Sequence, residues 1–201
     1  MCSSDLPWLR NESSGKFDLE QWDPVFFDRL KDFVAQAGLK AEGESPDHYA
    51  VFTADSDRFD MAKDQDSLVV PLRWRSANGV EVVRELEFKR GSYTVTQRFR
   101  VRNHSAQAWK FHHYEQLQRV IAPAGRQVVP TFTGAAVSTP EERYRKIKFE
   151  SLADTPLQQD VAKGWLALIE HYFVAALLPD AAQPQHYRSE EHTSELQSHH
   201  D

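Results

Sequence analysis

The stretch at residues 68–103, LVVPLRWRSANGVEVVRELEFKRGSYTVTQRFRVRN, decides the fold class because apolar and polar residues alternate along it with the two-residue period of a strand. The alternation occupies residues 68–74, 80–88 and 93–101. Asn78-Gly79 separates the first two segments and the short stretch around Gly91 separates the last two, and both suit tight turns. We therefore expect an antiparallel meander.

Each segment is expected to bury one face and expose the other. The predicted apolar face consists of Leu68, Val70, Leu72, Trp74, Val80, Val82, Leu86, Phe88, Tyr93, Val95, Phe99 and Val101. On the opposite face, a row of glutamates (Glu81, Glu85, Glu87) is expected to meet a row of arginines (Arg98, Arg100, Arg102) across the strands. Exposed ion pairs of this kind contribute only about 0 to 1 kcal/mol each.

A further strand is predicted at residues 109–121, but polar residues interrupt its apolar face. Trp109, Phe111, Leu117 and Ile121 share that face with His113, Glu115 and Arg119. Polar groups in such positions must be paired, bulged out or set in a cleft. The favoured interpretation is a structural ion pair or a bulge, and the alternative is a cleft that binds a ligand.

A helix-start signal and an apolar run follow in the C-terminal half. Thr139, Pro140 and Glu142 form the pattern of a capping box, which predicts a short helical turn near residues 140–145. The apolar run at residues 165–178 has 14 residues and carries Glu170 and His171, whereas a membrane-spanning helix needs about 20 apolar residues. Periodicity leaves open whether this run is a buried helix or a core strand.

The remaining segments are less regular. Strands are expected at residues 49–53 and 146–149, and a strand is possible at 33–37. Residues 24–34 also keep helical spacing after Asp23-Pro24, so that region is ambiguous. Residues 154–163 are expected to form a polar connection.

Two groups of residues carry a resemblance to a known family. GAAVSTPEERYRKIKFESLAD at residues 134–154, KGW at 163–165 and YFVAALLP at 172–179 are similar to the large periplasmic domain of the bacterial membrane protein insertase YidC. NGVEVVRELEFKRGSYTVTQRFRVRN at residues 78–103 resembles the preceding strands of the same domain. The resemblance extends over roughly residues 33–179.

The resemblance implies a fold and a setting. The family's domain is an antiparallel twisted β-supersandwich like that of galactose mutarotases, so an all-β fold is expected, truncated here, and residues 165–178 become strand. The full-length relatives carry a membrane anchor before this domain and a five-helix membrane core after it; neither is expected in this chain. The implied location is the periplasmic face of the bacterial inner membrane, and the implied partners are Sec translocon components and nascent membrane proteins.

Both ends of the chain resemble translated sequencing adapters. RSEEHTSELQS at residues 188–198 has this character, and so does MCSSDL at residues 1–6. We therefore expect residues 1–6 and 188–201 to be foreign and residues 7–187 to be a partial periplasmic β-sandwich domain. Without these segments the net charge changes from −6 to about −2, which gives no basic footprint for nucleic acid or anionic lipid.

No motif for enzymatic chemistry is present. The sequence has no nucleotide loop, GxSxG elbow or HExxH site, and its only cysteine, Cys2, lies in the adapter-like leader. His112-His113 with Glu115 suggests a metal, but neighbouring strand residues point to opposite faces, so we expect no metal or other cofactor. A mutarotase-like fold suggests acid–base chemistry on a sugar by His104, His113 or His171 with Glu115 or Glu170, although none lies in a motif of those enzymes.

The leading hypothesis is therefore a non-enzymatic binding or scaffolding module of a YidC-like insertase. The alternatives are a sugar-binding or sugar-isomerising β-sandwich and a freestanding carbohydrate-binding module. No catalytic residue is assigned. For partner contacts we single out residues 134–148, where the capped turn precedes a basic run (Arg143, Arg145, Lys146, Lys148); the alternative is that the cap only ends a strand connection.

Overall fold

A computed structural model describes residues 33–119, 132–170, 173–180, 184–190 and 195–200. The helix in this part of the chain is α1 (Phe149–Asp154). The strands are β1 (Phe33–Ala41), β2 (Thr53–Ala54), β3 (Ser67–Arg75), β4 (Val80–Lys89), β5 (Val95–Asn103), β6 (Phe111–Arg119), β7 (Thr133–Ser138), β8 (Arg145–Ile147), β9 (Gln158–Val161), β10 (Trp165–Glu170), β11 (Phe173–Leu177), β12 (Gln185–Glu190) and β13 (Glu195–His200). All their pairings are antiparallel, so the predicted all-β class is confirmed.

The described residues divide into two compact units. Unit 1 contains residues 44–109, and unit 2 contains residues 33–43 together with the described residues from 110 onward. Unit 1 holds one sheet with the strand order β2-β3-β4-β5. Unit 2 holds a five-stranded sheet, β1-β6-β13-β12-β9, and a four-stranded sheet, β11-β10-β7-β8.

The meander predicted from residues 68–103 is confirmed in unit 1 as β3, β4 and β5. Between β3 and β4, the amide of Ser76 donates to the carbonyl of Val80 at 2.9 Å, and the amide of Gly79 donates to Ser76 at 3.3 Å. Gly79 has φ +94°, while Asn78 keeps a negative φ, so the glycine alone supplies the left-handed residue of this turn. The second turn closes from Ser92 N–H to Lys89 C=O at 3.1 Å, with Gly91 at φ +69°.

Two sequence expectations for unit 1 were wrong. Tyr93 is 79% exposed and lies ahead of β5, and Val95 at the start of β5 is 49% exposed, so neither is buried in the predicted apolar face. Residues 49–51 form no strand, because Asp47 turns the chain there: its carboxylate accepts from the amide of Tyr49 at 2.9 Å and its carbonyl accepts from Ala50 at 3.2 Å. The strand in this region is β2, only two residues long.

Unit 2 is a sandwich whose two sheets share one apolar core. The core cluster comprises Leu117, Ala135, Val137, Phe149, Leu152, Leu157, Val161, Leu166, Leu168 and Tyr187. These residues come from β6, β9 and β12 of one sheet, from β7 and β10 of the other, and from α1 and the residues that follow it. Since Ala136 and Ala167 on the opposite faces of β7 and β10 are also fully buried, these two strands are covered on both sides.

The short helix lies later in the chain than the sequence suggested. Residues 140–144 form bends and β8 begins at Arg145, so no helix forms near 140–145. Helix α1 instead starts at Phe149, because Phe149 and Leu152, one turn apart, both enter the core. It ends at Asp154, and the next residue, Thr155, has left the helical region (φ −137°, ψ 87°), since the helical conformation is disfavoured before Pro156.

Three other expectations in unit 2 are refined. The apolar run at residues 165–178 is strand, as the family resemblance implied, but it is divided into the antiparallel neighbours β10 and β11. The connection at residues 154–163 contains strand β9, because Gln158–Val161 pairs with residues 185–188 of β12. The possible strand at 33–37 is confirmed as the start of β1, while the ambiguous residues 24–32 lie outside the described residues.

The adapter-like C-terminal residues take part in the five-stranded sheet. Strand β13 lies between β6 and β12, and its register pairs Ser198 with Glu115 on one side and with Tyr187 on the other. A strand is held by main-chain hydrogen bonds that any sequence other than proline supplies, so this placement does not depend on the origin of the segment. That residues 188–201 are foreign therefore stays a prediction.

Candidate functional site

The segment singled out for partner contacts, residues 134–148, forms β7, a bend and β8. The side-chain oxygen of Thr139 accepts from the amide of Glu142 at 3.0 Å, and the amide of Thr139 donates to the carbonyl of Glu142 at 2.9 Å. The predicted cap therefore forms, but it closes a bend rather than opening a helix. The chain then reverses, so that Arg145 pairs with Val137 of β7.

Two glycines of the family-like motifs lie where side chains do not fit. A Cβ on Gly134 would stand 2.5 Å from the carbonyl oxygen of Ile147 and 2.6 Å from the ring of Phe132. A Cβ on Gly164 would overlap the carbonyl oxygen of Ser138 and a methyl group of Val161. Close approach of neighbouring backbones thus requires glycine at both positions and fixes the frame on which the bend is held.

An aromatic and cationic cluster covers the outside of this frame. Tyr144 is 52% exposed, and its ring lies 6.2 Å from that of Trp165, between centroids, with the planes tilted by 44°. The ammonium of Lys146 lies 4.9 Å from the ring centroid of Phe132 and 5.6 Å from that of Tyr144. These are cation–π distances. We call Phe132, Tyr144, Lys146 and Trp165 the Tyr144 cluster.

The side chains of the basic run at residues 143–148 project in different directions. Arg145 is half buried, and its guanidinium donates to the side-chain oxygen of Gln159 at 2.8 Å and lies 3.9 Å from the carboxylate of Glu142. Lys146 points to the other face, since neighbouring strand residues alternate. Arg143 and Lys148 are exposed on either side of β8. Only part of the predicted charge is therefore available to a partner.

The polar residues that interrupt β6 include a structural ion pair, which was the favoured interpretation. Arg119 is 8% exposed, and its guanidinium lies 2.5 Å from the carboxylate of Glu170 at the end of β10. The pair joins the two sheets of unit 2. A buried charge of this kind is tolerated only when it is paired, so Glu170 has a structural role.

In the described part of unit 2, the acid–base candidates His113 and Glu115 do not form a hydrogen-bonded pair with each other. The His113 Nε2 atom lies 3.9 Å from the Glu115 carboxylate, which exceeds hydrogen-bond length. His104 belongs to unit 1, where it lies 4.0 Å from Glu81. His171 lies outside the described residues.

The two neighbouring histidines also stay apart as potential metal ligands. His112 pairs with Lys40 and His113 with Leu39 in the β1–β6 ladder, so their side chains project from opposite faces. Within the described ranges, no three His, Cys, Asp or Glu residues are grouped closely enough to hold a metal ion.

No pattern in the sequence indicated that the side chain of Tyr187 would be buried. Tyr187 is completely buried in the core of unit 2, and its hydroxyl has no hydrogen-bond partner among the residues that the structure describes. Burial, with a smaller contribution from the nearby Glu115 carboxylate, raises the pKa of Tyr187 to about 12. Because the sequence around it, QHYRS, carries no alternation, only the three-dimensional structure reveals this position.

Fold and surface together define a class of protein: a mainly β, sandwich-forming domain that carries an exposed aromatic and cationic cluster. No helix in the described part of the chain has the length and apolar character needed to cross a bilayer. A family model described as the YidC periplasmic domain matches residues 24–199. The chain belongs to this family, as its resemblance indicated, and the family's name agrees with the predicted periplasmic location.

Individual relatives support the same assignment. The proteins named membrane protein insertase YidC from Thioalkalivibrio sulfidiphilus, Dechloromonas aromatica and Vesicomyosocius okutanii are 38%, 41% and 35% identical to this chain. Their alignments cover 76%, 80% and 90% of it, respectively. The chain spans 28%, 30% and 33% of the length of those relatives.

Proposed function

We propose that this domain is a binding or scaffolding module on the periplasmic side of a membrane protein insertase at the bacterial inner membrane. Its partners in that role are nascent membrane proteins and components of the Sec translocon. The domain contributes contacts and carries out no enzymatic step. The family membership and the names of the relatives support this role.

The observation that carries the proposal is the Tyr144 cluster on a rigid frame. Tyrosine and tryptophan are among the side chains that contribute most to binding when a protein surface is covered by a partner. Here they lie beside a bend closed by Thr139 and between strands held close by Gly134 and Gly164. A surface that is already ordered before binding loses little conformational entropy when it is covered.

The sugar-isomerising alternative has less support. It requires a histidine and a carboxylate within hydrogen-bond reach and facing one pocket. His113 and Glu115 lie farther apart than that, and Glu170 is engaged by Arg119. The freestanding carbohydrate-binding module shares this fold class but has no observation in its favour.

The test is site-specific photo-crosslinking in a membrane context. In a chimera, residues 24–199 replace the aligned part of the Thioalkalivibrio sulfidiphilus insertase, and benzoylphenylalanine replaces Tyr144. The matched control places the same photo-reactive residue at Tyr93, which is 79% exposed in unit 1. We expect adducts with separate polypeptides from position 144 and several-fold fewer from position 93.

The comparison of positions decides the outcome. Insertion of a reporter membrane protein in cells depleted of their own insertase first establishes that the chimera is functional. If the functional chimera then yields only intramolecular adducts from position 144, the Tyr144 cluster is not a partner surface. Equal yields from both positions would likewise count against it.

A further inference from the structure

Among the described strands of unit 1, β5 is the last in the sheet. The sheet order is β2-β3-β4-β5, and within the described residues β5 has a ladder partner only on its β4 side. An edge strand presents unpaired amide and carbonyl groups to any extended segment that approaches. On the opposite side, β2 pairs only with Leu72 and Arg73 of β3, and β3 carries Pro71, which cannot donate a ladder hydrogen bond. In contrast, β5 has nine residues and contains neither proline nor glycine.

The side chains along this edge determine which segment it accepts. Arg98 and Arg100 are 53% and 70% exposed at the side chain, and Arg102 is exposed on the same face of the strand. Three like charges at alternate positions repel a second copy of β5 in the same orientation, because the arginines of the two strands would lie next to each other. The same row attracts a strand that carries carboxylates at alternate positions.

Strand β4 already shows this chemistry on the inner side of β5. Its register pairs Glu81 with Arg102 and Glu85 with Arg98. The Glu85 carboxylate lies 2.8 Å from Arg100 Nε, and the Glu87 carboxylate accepts from Arg98 Nη1 at 3.0 Å. Both glutamate side chains are largely covered, at 18% and 15% exposure.

The guanidinium groups retain donors for a second acidic strand. An arginine carries five N–H donors; Arg98 donates to Glu87 from Nη1, and Nε is the Arg100 nitrogen that lies 2.8 Å from Glu85. Arg102 makes no ion pair within the described part of the chain. It lines a depression of about 260 Å³ together with Arg73, Glu81 and Arg100.

We propose that the outer edge of β5 is a docking site for an extended acidic segment of another protein, which adds to the sheet as a further strand. Main-chain hydrogen bonds hold the segment, and carboxylates at every second residue, facing Arg98, Arg100 and Arg102, select it. The ligand thus repeats the pattern of β4. This surface is separate from the Tyr144 cluster, and the proposal does not depend on the function of that cluster.

The probe is a fluorescein-labelled nine-residue peptide that alternates valine with glutamate, and its binding to the 201-residue chain is followed by fluorescence anisotropy. We expect R98Q/R100Q/R102Q to weaken binding at least about tenfold. The matched variant R75Q/K89Q removes two cations of the same sheet that lie off the edge strand, and we expect less than a twofold effect. Retained protection of β3 and β4 amides in hydrogen exchange shows that the triple variant is folded.

Two altered peptides separate strand addition from simple charge attraction. Replacing glutamate by lysine should abolish binding. N-methylation of alternate amides should weaken binding at least about tenfold in one register and not in the other, because only one set of amides faces β5. Equal binding of both methylated peptides would overturn the proposal.

Other occupants give different outcomes, each of which also overturns it. The chain could bind phosphatidylglycerol vesicles but not the acidic peptide. If the triple variant then loses vesicle binding, the surface is directed to lipid. The chain could instead self-associate in sedimentation experiments and fail to bind the peptide. If R98Q/R100Q/R102Q then strengthens or removes the self-association, the occupant is a second copy of this chain.

Discussion

The two units of this domain are stabilised in different ways. In unit 2, ten core residues fill the space between two sheets, and β7 and β10 are covered on both faces. In unit 1, Val80 and Val82 are the fully buried members of the apolar face, while the other face carries rows of exposed arginines and partly covered glutamates. Unit 1 is therefore stabilised more by the hydrogen bonds of its strand ladders and turns. Unit 2 is stabilised more by the packing of its apolar core.

This difference has consequences for substitutions. Removing volume from a filled core costs transfer free energy and leaves a cavity, whereas changing an exposed ion pair costs tenths of a kcal/mol. A chain with two such units need not unfold in one step, so a single unfolding midpoint would mix their contributions. Hydrogen exchange read by mass spectrometry reports each unit separately.

The largest effect is expected at Tyr187, where the two units differ most. Tyr187→Ala removes a completely buried ring from the core of unit 2 and should lower its free energy of unfolding by about 3 to 5 kcal/mol. Protection of β7 and β10 amides should fall accordingly while that of β3 and β4 is retained. An equal loss in both units would show that they form one cooperative structure.

Tyr187→Phe is the matched control, since it keeps the ring and removes the hydroxyl that has no partner in the described residues. It should be neutral or stabilising by about 1 kcal/mol. It should also remove an alkaline pH dependence: the pKa of Tyr187 is raised to about 12 in the folded state, above its ordinary value of 10.0. Below pH 10 the tyrosine is neutral in both the folded and the unfolded state, so its ionisation does not lower the free energy of unfolding. As the pH rises from 10 towards 12, that free energy should fall by up to roughly 3 kcal/mol relative to Y187F, because only the unfolded state ionises readily.

A smaller but still local effect is expected from Gly164→Ala. The added Cβ meets the backbone oxygen of Ser138, which no side-chain rotation can relieve, so a cost of about 1 to 3 kcal/mol is expected in β7, β9 and β10. Gly91→Ala is the control in unit 1: it has φ +69° and no neighbour within 4 Å of the new Cβ, so only backbone strain of about 1 kcal/mol remains, confined to the β4–β5 turn. Unchanged exchange in β7 after Gly164→Ala would mean that these strands yield more easily than their packing indicates.

The same difference explains how much of the structure could be predicted. In unit 1, alternation and two glycines predicted three strands to within a few residues, because a sheet with one solvated face carries its period in its sequence. In unit 2, β10 is buried on both faces, and the apolar run continues through β11, where Phe173 and Val174 are exposed. No two-residue period therefore remained in residues 165–178 to distinguish helix from strand or to show the division into β10 and β11.

In unit 2, the sequence predicted the capping hydrogen bond correctly, but the helical turn expected from it was wrong. The Thr139–Glu142 cap bond formed, yet a bend uses the same hydrogen bond as the first turn of a helix. For the candidate site, residues 134–148 were singled out because a capped turn precedes a basic run, but the roles of Gly134, Gly164 and Trp165 depend on which strands become neighbours. Neighbouring strands are a property of the fold that single-sequence patterns do not contain.

The smallest effect is expected in the charged face of unit 1. Glu85→Gln with Arg100→Gln forms a double-mutant cycle for a pair 2.8 Å apart, whose arginine is largely exposed. We expect a coupling free energy of about 0 to 1 kcal/mol, measured by exchange of β4 and β5 amides, that declines as salt is raised from about 0.05 to 0.5 M. Arg75→Gln, whose guanidinium lies 3.1 Å from Glu81, is the reference for a more exposed pair. A coupling free energy above about 2 kcal/mol that salt does not reduce would mean that the partly covered carboxylates of β4 form a desolvated network. Unit 1 would then depend on buried interactions, as unit 2 does.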